Sequence, residues 1–360
     1  MIKINVEDPE FETVYCDIKE RYLSRTYFPK LIVGTGLSVS MNIPGMTGLS
    51  EELSKRFNEK PYEEFKETWD AYKGVVVDQG LEAALLQIPQ SSSNFVENIR
   101  TITGRFILAK DYESREDIIQ NNSGFEKLLN YLSRTVSPNN NIIDIMTPNY
   151  DLIIEAIADK LNLPTVLGFS GNLFQKFDNE YLRNPYIIYR KNVQLLRLFK
   201  PHGSVNWINN NNQILQVNDY SYMNEHSNDI EIIAPGSFKY EYGMTHEIFR
   251  AHRECFNEII SSKEMDYSIF IYGYGFHDSQ FDIVFENTNN NVIVLTMELE
   301  QSIINRALTH KNWTLFYKSI IGTQKNDKND SFMVYKGELY IINQNLWDLN
   351  VFSNIFFGGN

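Results

Sequence analysis

Cysteine is nearly absent from this 360-residue chain: Cys16 and Cys255 are its two, far apart and in no CxxC pattern. That excludes a disulfide framework and a four-cysteine zinc site, and it makes an intracellular, cytoplasmic setting the expectation. Long apolar runs are missing too. No stretch approaches the ~20 residues of a membrane span, so no membrane contact is expected. The amino terminus, "MIKINVEDPEFETVY", has early acids where a signal peptide would have an apolar core. Positive charge is scarce, with 33 Lys and Arg against 46 Asp and Glu and a formal net charge of −13. A nonspecific grip on nucleic acid rests on cations neutralising phosphates, so direct nucleic-acid binding is not expected. An acidic chain that takes an anionic ligand must do so locally, with backbone N–H groups and helix N-termini.

What is present is a series of short apolar runs ending in Gly, Pro, Asn or His. They are "LIVGTG" (31–36), "IIDIMTPNYD" (142–151), "TVLGFSG" (165–171), "LLRLFKPHGS" (195–204), "YSIFIYGYGF" (267–276) and "NVIVLTM" (291–297), with helical segments between them. Runs this apolar suit strands buried on both faces. Their alternation with helices predicts an α/β fold, a Rossmann-like, doubly wound parallel sheet. In such sheets ligands lie outside the carboxyl ends of the strands, which is where Gly34, Asn149, His202 and Gly273 fall.

Residues 49–138 have apolar positions at helical spacing. They read as a large helical insertion after the first of these strands, capping the site. Residues 1–311 read as one catalytic domain and 312–360 as a C-terminal extension. The extension holds a hairpin, "FMVYKGELYII", turning at Lys336–Gly337. An apolar tail, "LWDLNVFSNIFF", follows, suited to packing on the core or on another subunit. Asn-rich stretches such as "SPNNN" read as exposed loops.

Several residues could carry chemistry. Gly34 and Gly36 would let backbone amides approach a diphosphate, with Thr35 or Ser38 donating hydroxyl hydrogen bonds. "GTGLS" lacks the third glycine of G-x-G-x-x-G, so the alternative is a strand turning a corner. Asn149, in "TPNYD", can both donate and accept, which suits a ribose hydroxyl or a water; Asp151 could orient it or cap the next helix. His202, beside Gly203, can accept a proton near neutral pH or serve the core. Gly273 and Gly275 flank Tyr274 after a very apolar run, with Asp278 beyond. His246, His252 and Cys255 share one helical stretch, but no fourth ligand is evident and no metal is expected.

Taken in chain order, these features resemble the SIR2-like family from about Leu31 to Met297. That family's G-[AT]-G-x-S followed by IP matches Gly34, Thr35, Gly36, Ser38, Ile43 and Pro44. Its T-x-N-x-D matches Thr147, Asn149 and Asp151, and its catalytic HG matches His202 and Gly203. "GYGF" with Asp278 resembles the turn the family uses against the cofactor's ribose. The resemblance implies NAD as substrate, its phosphates on the Gly34–Pro44 motif and its ribose near Gly273, Tyr274, Gly275 and Asp278. It implies Asn149, Asp151 and His202 as the catalytic set.

Lysine-deacylating sirtuins add a four-cysteine zinc module and a Phe-Arg pair after the proline. This chain has neither, reading Gly45-Met46-Thr47, so no zinc is expected. The helical segment and long tail resemble the bacterial SIR2-like NAD hydrolases of antiviral defence, some of which assemble with a hexameric HerA-type ATPase. The expectation is an NAD glycohydrolase that forms a homo-oligomer, with such an ATPase as a candidate partner. Two alternatives stay open: an NAD-dependent deacylase or ADP-ribosyltransferase, and an NAD- or ADP-ribose-binding regulatory subunit without turnover.

Overall fold

Ten strands form one sheet in the computed structural model, which describes residues 2–89, 92–136, 141–236, 246–262, 266–276, 288–322 and 331–358. In chain order they are β1 (Ile2–Ile4), β2 (Lys30–Val33), β3 (Ile142–Met146), β4 (Thr165–Val166), β5 (Leu195–Phe199), β6 (Ser268–Tyr272), β7 (Asn291–Leu295), β8 (Trp313–Tyr317), β9 (Ser331–Tyr335) and β10 (Glu338–Ile342). Across the sheet the order is β1-β10-β9-β8-β7-β6-β2-β3-β5-β4.

The sheet is mixed rather than parallel throughout, which corrects the expectation. β9 runs against both neighbours. The hairpin from β9 to β10 turns through Lys336 and Gly337 at φ 51° and 84°. The run at 165–171 also divides. Thr165–Val166 is the edge strand β4, whereas Phe169–Ser170 joins a second, five-stranded sheet built from 175–177, 203–210, 213–216 and 230–232.

Alternate residues of the parallel strands enter different cores. Leu31, Val33, Ile143, Ile145, Phe270 and Tyr272 face one; Ile32, Met146, Ile269, Ile271, Val292 and Val294 face the other. Burial on both faces is why these strands are apolar without alternation. Helix α1 (Pro9–Leu23) precedes β2. Between β2 and β3 come α2 (Thr35–Ser40), α3 (Met46–Arg56), α4 (Lys66–Gln79), α5 (Leu81–Leu86), α6 (Ser93–Gln120) and α7 (Gly124–Thr135). α8 (Ile153–Lys160) follows β3, α9 (Glu247–Ser261) precedes β6, α10 (Gln301–Thr309) joins β7 to β8, and α11 (Leu349–Phe357) comes last. Helices α3 to α6 share a third core around Leu53, Phe57, Trp69, Phe95 and Ile99.

The C-terminal segment is part of the main sheet. β8 pairs in parallel with β7, so residues on both sides of position 312 belong to one hydrogen-bonded ladder. α11 packs on its own chain: Phe352 stacks on Phe356 at 4.2 Å and meets Phe270 and Phe316 at 5.9 Å. No helix among the described residues is long and apolar enough to cross a membrane.

From β2 the chain moves outward through β3 to β5, then returns to the other side of β2 as β6 and moves outward through β7 and β8. The strand order therefore reverses between β2 and β6. Open α/β sheets bind ligands at the carboxyl ends of such a reversal.

Candidate functional site

At the reversal, the turn from β2 into α2 lies directly against the turn after β6. A Cβ on Gly36 would come within 2.5 Å of Gly273 Cα, and one on Gly34 within 2.4 Å of Gly273 O. No side chain tolerates contacts that short, so glycine is what lets these two backbones touch. Gly34 N–H donates to Tyr272 O at 2.8 Å, Gly36 N–H to Gly273 O at 2.9 Å and Leu37 N–H to Gly34 O at 3.1 Å. The expectation that the glycine amides face a phosphate meets a fold in which both are already donated. Their observed role is to hold the ends of β2 and β6 together.

Asn149 is tied to the same turn from the β3 side. Its N–H donates to Thr147 Oγ1 at 3.1 Å, and Nδ2 donates to Gly34 O at 2.9 Å and Ser38 Oγ at 3.0 Å. A carbonyl can only accept, so Gly34 fixes which end of the amide faces it and leaves Oδ1 as an acceptor. Ser38 Oγ in turn donates to Asp151 Oδ2 at 2.6 Å. All three side chains are buried. Asp151 is not the N-cap of α8, a place taken by Leu152. Leu152 N–H is received by Asp111 Oδ1 at 2.6 Å, from α6, while Asp151 Oδ1 still receives the N–H of Ile153, the first residue of α8, at 3.3 Å. Burial, with the charge of Asp151 nearby, pushes the Asp111 carboxyl up from its ordinary value against the pull of Arg115.

His202 follows β5. Gly203 has φ +88°, and a Cβ there would sit 2.4 Å from Glu231 O. The glycine after the histidine is thus required by the strand pairing with 230–232. Ile233 N–H donates to the His202 carbonyl at 2.9 Å. Lys200, wholly buried, extends Nζ to Asp151 O at 2.5 Å, Ser204 Oγ at 2.8 Å and Glu155 Oε1 at 3.0 Å. Burial pushes the Glu155 carboxyl up, against the pull of Lys200.

His252 and Cys255 lie elsewhere, buried on α9. The His252 ring packs 5.1 Å from Trp207 and 5.7 Å from Phe177, and its Nδ1 accepts Lys200 N–H at 3.2 Å. Burial pushes the Cys255 thiol up to about 11. Among the described residues no group of three or more His, Cys, Asp or Glu side chains could hold a metal ion.

These loops enclose a cavity of about 620 Å³, within the ~300–1,000 Å³ typical of small-molecule sites. Thr35, Gly36, Ser38, Pro44, Asn149, Asp151, His202, Gly273, Tyr274 and Gly275 all line it. Gly34 is not among the lining residues and acts through its carbonyl on Asn149; Asp278 lies outside the described residues. The cavity runs along the strand ends. From β5, before His202, to β7, before Thr296, is four strand steps, about 19 Å at ~4.8 Å each.

Further wall residues escape a motif reading. Met46, Glu82 and Ile107 come from the helices between β2 and β3; Thr296 and Glu298 follow β7; Trp347 and Asp348 precede α11. No local pattern marks Trp347 and Asp348, which reach the cavity because β8 to β10 extend the sheet and the chain turns back across its end. Four carboxylate residues, Glu82, Asp151, Glu298 and Asp348, line the cavity, and no lysine or arginine does so among the described residues.

Fold and site define an α/β protein with a long, acid-lined cavity where a mostly parallel sheet reverses its strand order. No protein-family model and no curated protein matches the chain.

Proposed function

We propose that this protein is a SIR2-like NAD glycohydrolase that cleaves the nicotinamide–ribose bond to give nicotinamide and ADP-ribose. The supporting observation is the convergence of Asn149 and His202, from two different strand ends, on one cavity at the reversal point.

In this reading the bond from ribose C1′ to the nicotinamide nitrogen breaks with its electron pair leaving on nicotinamide. The ribose passes through an oxocarbenium-like state, as in glycoside hydrolysis. Water adds at C1′, and one of its protons passes to His202, a transfer commonly worth ~10²–10⁴ in rate. Asn149 Oδ1 receives the water or a ribose hydroxyl. Asp151 touches Ser38 and keeps that network in register. The carboxylates of the wall suit the cationic nicotinamide ring. They oppose the pyrophosphate, which falls to neutral donors such as the Thr35 hydroxyl. Helices α3 to α6 act as the cap over the ribose. Depletion of NAD fits a role in bacterial antiviral defence, within a homo-oligomer and with a HerA-type ATPase as candidate partner.

The test is overnight incubation of the purified protein with NAD, beside His202→Ala and Asn149→Ala, with products separated by chromatography. The expected outcome is free ADP-ribose and nicotinamide from the wild type, with release slowed ~10²–10⁴-fold in His202→Ala. Full cleavage by both variants would sink the assignment. Tight NAD binding without product would favour a regulatory nucleotide-binding subunit, and ADP-ribose or acyl transfer to a protein side chain would favour the transferase reading.

A further inference from the structure

We infer that Lys200 is the positioning residue that sets the Asn149–Asp151 loop against the His202 loop, an assignment that rests on the NAD-cleavage reading. Its side chain is completely buried, and a buried ammonium ion is costly unless every proton is received. Here each of its three protons has a receiver, and the receivers lie on different pieces of the site. The Asp151 carbonyl, at 2.5 Å, belongs to the loop after β3; Ser204 Oγ, at 2.8 Å, lies two residues past His202; Glu155 Oε1, at 3.0 Å, is on α8.

The backbone adds direction. Gly203 N–H donates to Lys200 O at 3.1 Å, closing a tight turn with Pro201 and His202 at its tip. Nζ then pins the far side of that turn through Ser204, while Val205 N–H donates to Tyr150 O at 2.9 Å. The ammonium therefore joins the base of the His202 turn to the backbone of Asp151. A core lysine serving stability alone would be replaceable by an apolar residue of similar volume together with neutralisation of its partner. A positioning lysine would not.

The discriminating protein is therefore Lys200→Met combined with Glu155→Gln, since Lys200→Met alone strands a buried carboxylate. Thermal melting checks that it is folded, and its behaviour is compared with Glu155→Gln alone. Two quantities are read: the ¹H–¹³C signal of the His202 imidazole, assigned by its loss in His202→Ala, and steady-state nicotinamide release from NAD. The expected result is a folded double variant with a displaced His202 signal. Its kcat and kcat/KM should fall together, on the order of a hundredfold, as for a ~1 Å misplacement of a catalytic group. A His202 signal and kcat matching Glu155→Gln alone would overturn the assignment. So would a displaced signal with unchanged kcat, or a lost kcat with the signal unmoved. If the wild type itself releases no nicotinamide, the hydrolase reading fails separately, and the His202 signal alone decides whether Lys200 sets that loop.

Discussion

Ser38 carries one hydroxyl proton, which goes to Asp151 Oδ2 at 2.6 Å, while the same oxygen receives Asn149 Nδ2 at 3.0 Å. One small side chain thereby orders two others, and the direction of each bond follows from what each atom can donate. Ser38→Ala would leave a carboxylate oxygen and an amide proton without partners in a buried place, at a cost of about 1–3 kcal/mol. The amide of Asn149 would keep only its bond to the Gly34 carbonyl and could swing about it. We predict a lower melting temperature by calorimetry and NAD cleavage slowed on the order of 10–100-fold. Wild-type turnover in a folded Ser38→Ala protein would show that the Asn149–Ser38–Asp151 chain plays no part in the reaction.

At the level of elements, the β2–α2 turn and the turn after β6 act as one unit because backbone meets backbone. Gly36→Ala would drive a methyl to 2.5 Å from Gly273 Cα. Overpacking of that kind costs about 1–3 kcal/mol, and here the atom to be displaced is main chain. Gly74 gives the opposite case: it lies in α4, where an added methyl group would meet nothing within 4 Å, so Gly74→Ala should stabilise by about 0.5–1 kcal/mol. Denaturant midpoints of the two variants should move in opposite directions, and a tolerated Gly36→Ala would mean that the two turns are free to separate. The strands of this unit were legible in sequence because their burial on both faces removes every polar residue over three or four positions, as in "LIV" before Gly34 and "IFIY" before Gly273. The strand-end residues Asn149 and His202 were legible because each closely follows such a run. Lys200, Asp111 and Trp347 were not. Their roles depend on partners 41 to 49 residues away or on where the sheet's last strands return the chain, and no spacing in the sequence encodes that. The reversed β9 was hidden for a related reason: a hairpin signal fixes its own turn and not which sheet receives it.

Across the whole molecule, the buried charges divide into groups that acid weakens and groups that acid relieves. Asp144 lies between Lys30 Nζ at 2.6 Å and Arg197 Nε at 2.7 Å. Burial pushes its carboxyl up, but Arg197 and Lys30 together hold it below its ordinary value, so the stability it contributes is present above ~3.9 and is lost at lower pH. His252 acts in a higher window. Burial, aided by the charge of Lys200, pushes its imidazole down to about 3. Between ~6.5 and that value the unfolded chain holds a proton that the folded one does not. Stability from this residue is therefore complete above ~6.5 and falls with acidification by at most ~1.4 kcal/mol per pH unit. Asp111 and Glu155, whose carboxyls burial pushes up, bind protons more readily in the fold and oppose that slope, so the His252 share must be read as a difference. We predict that guanidinium midpoints at pH 7.5 and 5.0 lie closer together in His252→Gln, whose side-chain oxygen can still receive Lys200 N–H, than in the wild type. An unchanged gap between the two midpoints would mean that the fold accepts a proton on His252 at pH 5.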